Sequence, residues 1–327
     1  MTQQGPVSAG TGAGSEPRLG GLLGAGFVSA LLFGTAALPA PLSTLLLVSP
    51  VPLAIQRLQA GAASAWLAGA LAAALVAAAT APVAALVYLS LLAFPGLVLA
   101  EAMARGRGLL RGCAWAFFVL VGFVALCLAT VPASVGDWIL AAYDTGHAAF
   151  LAQLRQGGMP QDGLAEWQGF VRQGRQALAV VFPAFLVIAA AVLVAANAAL
   201  LRLYLLRRDP GWLEDGEFER VRFPIGLVLA FVLSGAAVAL PLARPAAYNV
   251  LLVVAFFFAL QGLAVVGFYA RRLAAPPLVR GLALTLVLVN PWAAQMLALL
   301  GLFDNFFDFR RFAEPPTDER TPQGPKP

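Results

Sequence analysis

Between residues 20 and 302 the chain is built almost entirely of apolar runs long enough to sit in lipid, and the breaks between them carry arginine. A run of about 20 apolar residues rising 1.5 Å each crosses the roughly 30 Å hydrocarbon layer. A soluble fold has one interior to fill. With 61% hydrophobic and 11% charged residues, against about 45–50% and about 25% in ordinary domains, this chain has far more apolar side chains than one core can hide. The expected fold is therefore all-α, a polytopic transmembrane helix bundle in one domain over residues 19–312, flanked by disordered tails at 1–18 and 313–327. The first tail lacks a clustered basic start, so the run after it reads as a retained span and not as a cleaved signal.

Nine candidate spans follow from hydropathy: 19–38, 42–55, 60–79, 82–103, 113–133, 178–201, 223–242, 248–270 and 278–302. The second is short and carries Pro50 and Pro52, as a broken or re-entrant helix would, and Asn290-Pro291 predicts a break in the ninth. The count is eight or nine. Of the 21 basic residues 20 are arginine. With the N-terminus cytoplasmic, 13 of them fall in inner loops (Arg57, Arg105, Arg220, Arg222 and Arg271 among them) and four in outer ones. That bias sets the orientation, with the N-terminus on the cytoplasmic side. It also accounts for the net charge of +5 without nucleic acid. Nine crossings place Arg310 and Arg311 outside, against the bias, so the last segment either turns back at Asn290-Pro291 or the count is off by one. The outer loop 134–177 exceeds a connector. Its aromatic and aliphatic residues recur at helical spacing on both sides of Gly157-Gly158, which predicts two amphipathic helices on the membrane or over the bundle.

No ionisable residue lies mid-span, which argues against proton- or sodium-driven carriers. His147 is the only histidine, and no cluster of metal-ligating type occurs, so no metal or other cofactor is expected. Cys113 and Cys127 share one apolar segment and read as packing residues. No Ser/His pair or zinc motif suggests an enzyme. The polar residues that remain in the spans are amides. Asn197, Gln261, Asn290 and Gln295 must each face protein, water or a ligand, because an unpartnered amide in lipid costs several kcal/mol. With Trp292 they are the candidate ligand contacts, and Asn290 is expected to share an interior cavity with Gln261. Gly26, Ala30 and Gly34 form a small-residue stripe on the first span, suited to close approach of another helix. The segment 301–312 sets Asp304 one turn from Asp308, with five phenylalanines fit for the headgroup boundary.

Gln261-Gly262 followed by Asp304, Asp308 and Arg310 resembles the pattern of the YybS-like family of predicted bacterial membrane proteins. So do Phe182-Pro183, Asn197, Phe223-Pro224, Asn249 and the stretch Val48-Ser49-Pro50-Val51-Pro52. The similarity runs from about Leu22 to Phe312. That family has no established activity; its N-terminal part resembles the substrate-binding membrane subunits of energy-coupling-factor transporters, which take up vitamins and metal ions. The resemblance implies a docking role for Gly26, Ala30 and Gly34 on a transmembrane coupling protein; those subunits typically have six spans, against the eight or nine read here. The expected function is a solute-binding or transport-associated membrane subunit for a small neutral or amphiphilic ligand, in contact with membrane lipid. The alternative is a structural or regulatory protein acting through protein–protein contacts in the envelope, with a lipid-modifying enzyme third.

Overall fold

The computed structural model describes residues 19–39, 42–130, 132–208, 210–213, 218–276 and 290–311. Among them every regular element is helical. Helices with mean apolar character on all sides stay stable only where lipid covers what the bundle does not. That is the pattern here: Leu23, Phe27, Leu31, Leu67, Phe118 and Leu203 all stay exposed. The fold is an all-α polytopic bundle. Six helices among the described residues are long and apolar enough to cross a membrane. The region expected to be one domain divides into two compact units, residues 1–133 with 189–214, and residues 134–188 with 215–327.

The first unit starts with α1 (Leu19–Gly34), a 3₁₀ segment Leu42–Val48 and α2 (Pro50–Ala79). α2 is a helical hairpin. Gly61 has φ 89° and ψ 176°, a conformation open to glycine and strained for other residues. Gln56 donates to Ser64 Oγ at 2.6 Å although eight helical residues would separate them by about 12 Å. The chain therefore reverses at Gly61, and the expected second and third spans are its two arms. The first arm is longer than its apolar run implied, because the seven 3₁₀ residues Leu42–Val48 rise about 2.0 Å each. Next come α3 (Pro82–Val87), a π turn (Tyr88–Ala93), α4 (Phe94–Ala104) and α5 (Gly108–Thr130). Pro95 has no N–H to give the preceding turn, and the π turn is the local adjustment that absorbs it. Arg57, in the hairpin bend, pairs with Glu101, which also pairs with Arg105 at 2.7 Å. Gln59 donates to Tyr204 Oη. Three expected inner ends of this unit thus meet.

α6 (Pro132–Gln156) and the start of α7 (Gln161–Arg208) are the amphipathic pair expected in the loop 134–177. They are joined through Gly158, whose φ is 79°. The second of them is continuous with the following span: α7 has 48 residues, about 72 Å if straight, with residues to Ile188 in the second unit and those from Ala189 in the first. A hydropathy window separates what backbone hydrogen bonding leaves joined.

The second unit continues with α8 (Ile225–Ala237), α9 (Arg244–Arg272) and α10 (Pro291–Phe307). α8 has 13 residues, shorter than the expected seventh span. Residues 278–289 of the expected ninth lie outside the described residues. Tyr269 Oη donates to the Phe309 carbonyl, Arg310 to the Val221 carbonyl at 2.9 Å, and Arg271 pairs with Glu219 at 3.4 Å. The end of α10 thus lies at the same end of the unit as Arg220, Arg222 and Arg271. This corrects the nine-crossing count, which put Arg310 and Arg311 on the far side, and it brings both into line with the arginine bias. Single cysteines at Arg220 and Arg311 are expected to label from one face of the membrane in intact cells. Labelling from opposite faces would refute the placement.

Candidate functional site

In the first unit an apolar interior is crossed by a seam of polar groups where the backbone is irregular. Asn197 on α7 is 5% exposed. Its Nδ2 donates to the Leu193 carbonyl at 2.8 Å and to the Leu47 carbonyl, in the 3₁₀ segment, at 2.9 Å. Using both amide protons fixes the orientation of the group. Its Oδ1 is buried without a partner among the described residues, as is Ser49 Oγ. Beside Asn197 lies a cavity of about 10 Å³, walled by Pro50, Leu92, Pro95, Leu99, Ala116 and Val194. Tyr88 and Ser29, both fully buried, share a 2.6 Å hydrogen bond, and Ser29 Oγ donates onward to the Ser49 carbonyl. α1, the π turn and Ser49, the residue that follows the 3₁₀ segment, are therefore tied together by side chains.

The second unit holds a buried ionic network. Asp304 on α10 has no exposed surface. Its Oδ2 accepts from Gln261 Nε2 at 3.0 Å and lies 3.4 Å from Arg310 Nη2 and 3.8 Å from Arg222 Nε, while Oδ1 accepts from the Phe309 N–H at 3.2 Å. Arg222 also pairs with Asp308, and Gln261 Oε1 accepts from the Phe223 N–H at 3.0 Å. Burial pushes the Arg310 guanidinium down from its ordinary value, opposed first by the charge of Asp304. A buried carboxylate is tolerated because two guanidiniums and an amide replace its hydration. α9 and α10 come close enough for this because Gly262 and Gly301 meet at their crossing: a Cβ at Gly301 would stand 1.9 Å from the Phe258 carbonyl oxygen, and one at Gly262 2.0 Å from that of Leu297. Near Pro183 in α7, Asn249 of α9 enters the helical ladder. It accepts from the Ala184 N–H at 2.8 Å and donates to the Val180 carbonyl at 2.8 Å.

The residues singled out in the sequence part company here. Gln261, Gly262, Asp304, Asp308 and Arg310 assemble into one cluster. Asn197 lines the cavity of the other unit. Asn290 is the N-cap of α10, its Oδ1 accepting from the Trp292 N–H at 3.0 Å. It lies 14 residues before Asp304, about 21 Å along the helix, and Gln261 is held at Asp304, so among the described residues Asn290 and Gln261 stand apart and share no site. Trp292 is 72% exposed and Gln295 is exposed. The stripe also divides. Gly26 is turned onto its own chain, where a Cβ would meet the Ala68 carbonyl oxygen at 2.8 Å, Ala30 packs against the same core, and only Gly34 faces open space. Ser29 and Tyr88 gave no signal in the sequence, since hydroxyls are common in spans, and Ser49 stood out there only as part of the stretch Val48-Ser49-Pro50-Val51-Pro52. Arg222 read there only as a topology marker.

A helix bundle with apolar outer faces, arginine-rich ends and internal polar clusters defines an integral membrane protein. The chain belongs to the family described as "Predicted membrane protein (DUF2232)", whose model matches residues 27–305. No curated protein and no solved structure matches it.

Proposed function

We propose that this protein is a solute-binding or transport-associated subunit of the bacterial cytoplasmic membrane, N-terminus inside, taking a small neutral or amphiphilic ligand and acting without chemistry of its own. The carrying observation is the composition of the first unit. With the two arms around Gly61 counted separately, it gathers six apolar helical segments: residues 19–37, the two arms, residues 82–104, α5 and the C-terminal part of α7. Six is the number in the energy-coupling-factor subunits that the N-terminal part resembles, and here α6 and the start of α7 stand as an insertion before the sixth. The YybS-like affinity belongs to the same reading. Support also comes from the Asn197 seam, since irregular backbone at membrane depth is tolerated where it lines a site or is buried in protein.

The test is purification of the full chain in mild detergent, with mass spectrometry of retained small molecules and of co-purifying proteins. A retained solute together with an ATPase pair and a coupling protein is the expected result. Envelope proteins without any retained solute would overturn this reading in favour of a scaffold.

A further inference from the structure

We infer that the cavity beside Asn197 is a binding site for one neutral hydrogen-bond donor, an O–H group held by Asn197 Oδ1. The amide orientation is settled by its two donated bonds to the Leu47 and Leu193 carbonyls, so the atom left over is an acceptor, buried and without a partner among the described residues. An amide oxygen left so in an apolar interior forfeits its hydration with nothing in return. None of the lining side chains supplies a donor, because the rest of the wall is Pro, Leu, Gly, Ala and Val. Pro50 and Pro95 have no N–H either. No ionised group lines the cavity, so a charged guest would meet no counter-charge there and a neutral one is required. The volume of about 10 Å³ matches a single water-sized group. Two sources share this chemistry, a water molecule and the terminal hydroxyl of an amphiphile. The site stands whether or not the protein handles a solute.

The test is a structure of the purified full chain in lipid nanodiscs at a resolution that shows ordered water, with native mass spectrometry of the same sample. A peak within hydrogen-bond distance of Asn197 Oδ1 is expected in the wild type and its loss in Asn197→Leu. Ala116→Ser introduces a hydroxyl at the cavity wall, is conservative enough to fold, and is expected to displace the guest. A single-atom peak with no retained mass identifies water; an extended feature with a retained mass identifies a solute hydroxyl. An empty wild-type cavity, Asn197 Oδ1 bonded to a protein donor, or a peak that persists in Asn197→Leu overturns the inference. If the peak is water and no solute is retained, the site survives and the transport reading does not.

Discussion

Alanine at Gly301 is expected to unseat α10 from α9. The added Cβ would lie 1.9 Å from the Phe258 carbonyl oxygen and 2.7 Å from the Gly262 nitrogen. These are backbone atoms of a regular helix, and no rotamer change relieves the overlap. The two helices must part by on the order of 1.5 Å to restore ordinary contact. That stretches the 3.0 Å bond between Gln261 and Asp304 past useful length. Overpacking of this kind costs about 3 kcal/mol, and the lost polar contact adds to it. Gly262→Ala, with its Cβ 2.0 Å from the Leu297 carbonyl oxygen, acts on the same crossing. The two substitutions should therefore be strongly non-additive, the double variant little worse than either alone. Gly20 and Gly24, where an added Cβ would meet nothing within 4 Å, serve as controls that alanine should leave unchanged or stabilise. Thermal unfolding in detergent checks all five proteins. A Gly301→Ala variant as stable as the controls would show that α9 and α10 do not pack this closely.

Removing the Asp304 carboxylate has the other large expected effect. Asp304→Leu leaves Arg310, 11% exposed at its side chain, with the Val221 carbonyl as its remaining hydrogen-bond partner among the described residues, and deprives Gln261 Nε2 of its acceptor. Breaking one half of a buried ion pair costs about 3–5 kcal/mol, mostly as the penalty of the charge left behind. The double variant Asp304→Leu with Arg310→Met removes that stranded charge and is expected to recover most of the loss. Asp304→Asn should fall between, since it can still accept from the Phe309 N–H but neutralises neither arginine. Equal stability of the single and double variants would mean that the pair is not coupled. Midpoints of thermal unfolding, with proteolysis of the C-terminal segment as a local readout, distinguish these outcomes.

The ionic cluster also shows how far sequence reasoning reached. Gln261, Gly262, Asp304, Asp308 and Arg310 stand out in the sequence as a pattern, and folding gathers them. What they do for one another was not legible. A helical reading of residues 301–312 sets Asp304 beside Asp308 and Asp308 near Arg311, yet Asp304 turns to Gln261, Arg310 and Arg222, and Asp308 to Arg222. The helix ends at Phe307, and Asp308 takes a left-handed φ of 46°, which redirects the chain so that Arg310 folds back. Local spacing cannot anticipate a contact that depends on where the helix stops.

Hydropathy and charge by themselves determined that the chain is a helical membrane protein, where most of its apolar segments lie, and that Gly157-Gly158 breaks the loop 134–177. These are local properties, written by each residue's transfer energy and each glycine's freedom at positive φ. Only the tertiary structure decided that the second and third segments form a hairpin about Gly61, that Gly26 faces its own chain, and that Arg310 and Arg311 end among the other arginines. It alone assigned each amide: Asn197 to a carbonyl 150 residues away, Gln261 to a carboxylate 43 away, Asn290 to its own helix start. The reason is physical. An apolar residue needs only an environment, which its neighbours in sequence reveal. A buried amide needs a particular donor or acceptor, and which one reaches it is settled by how helices pack.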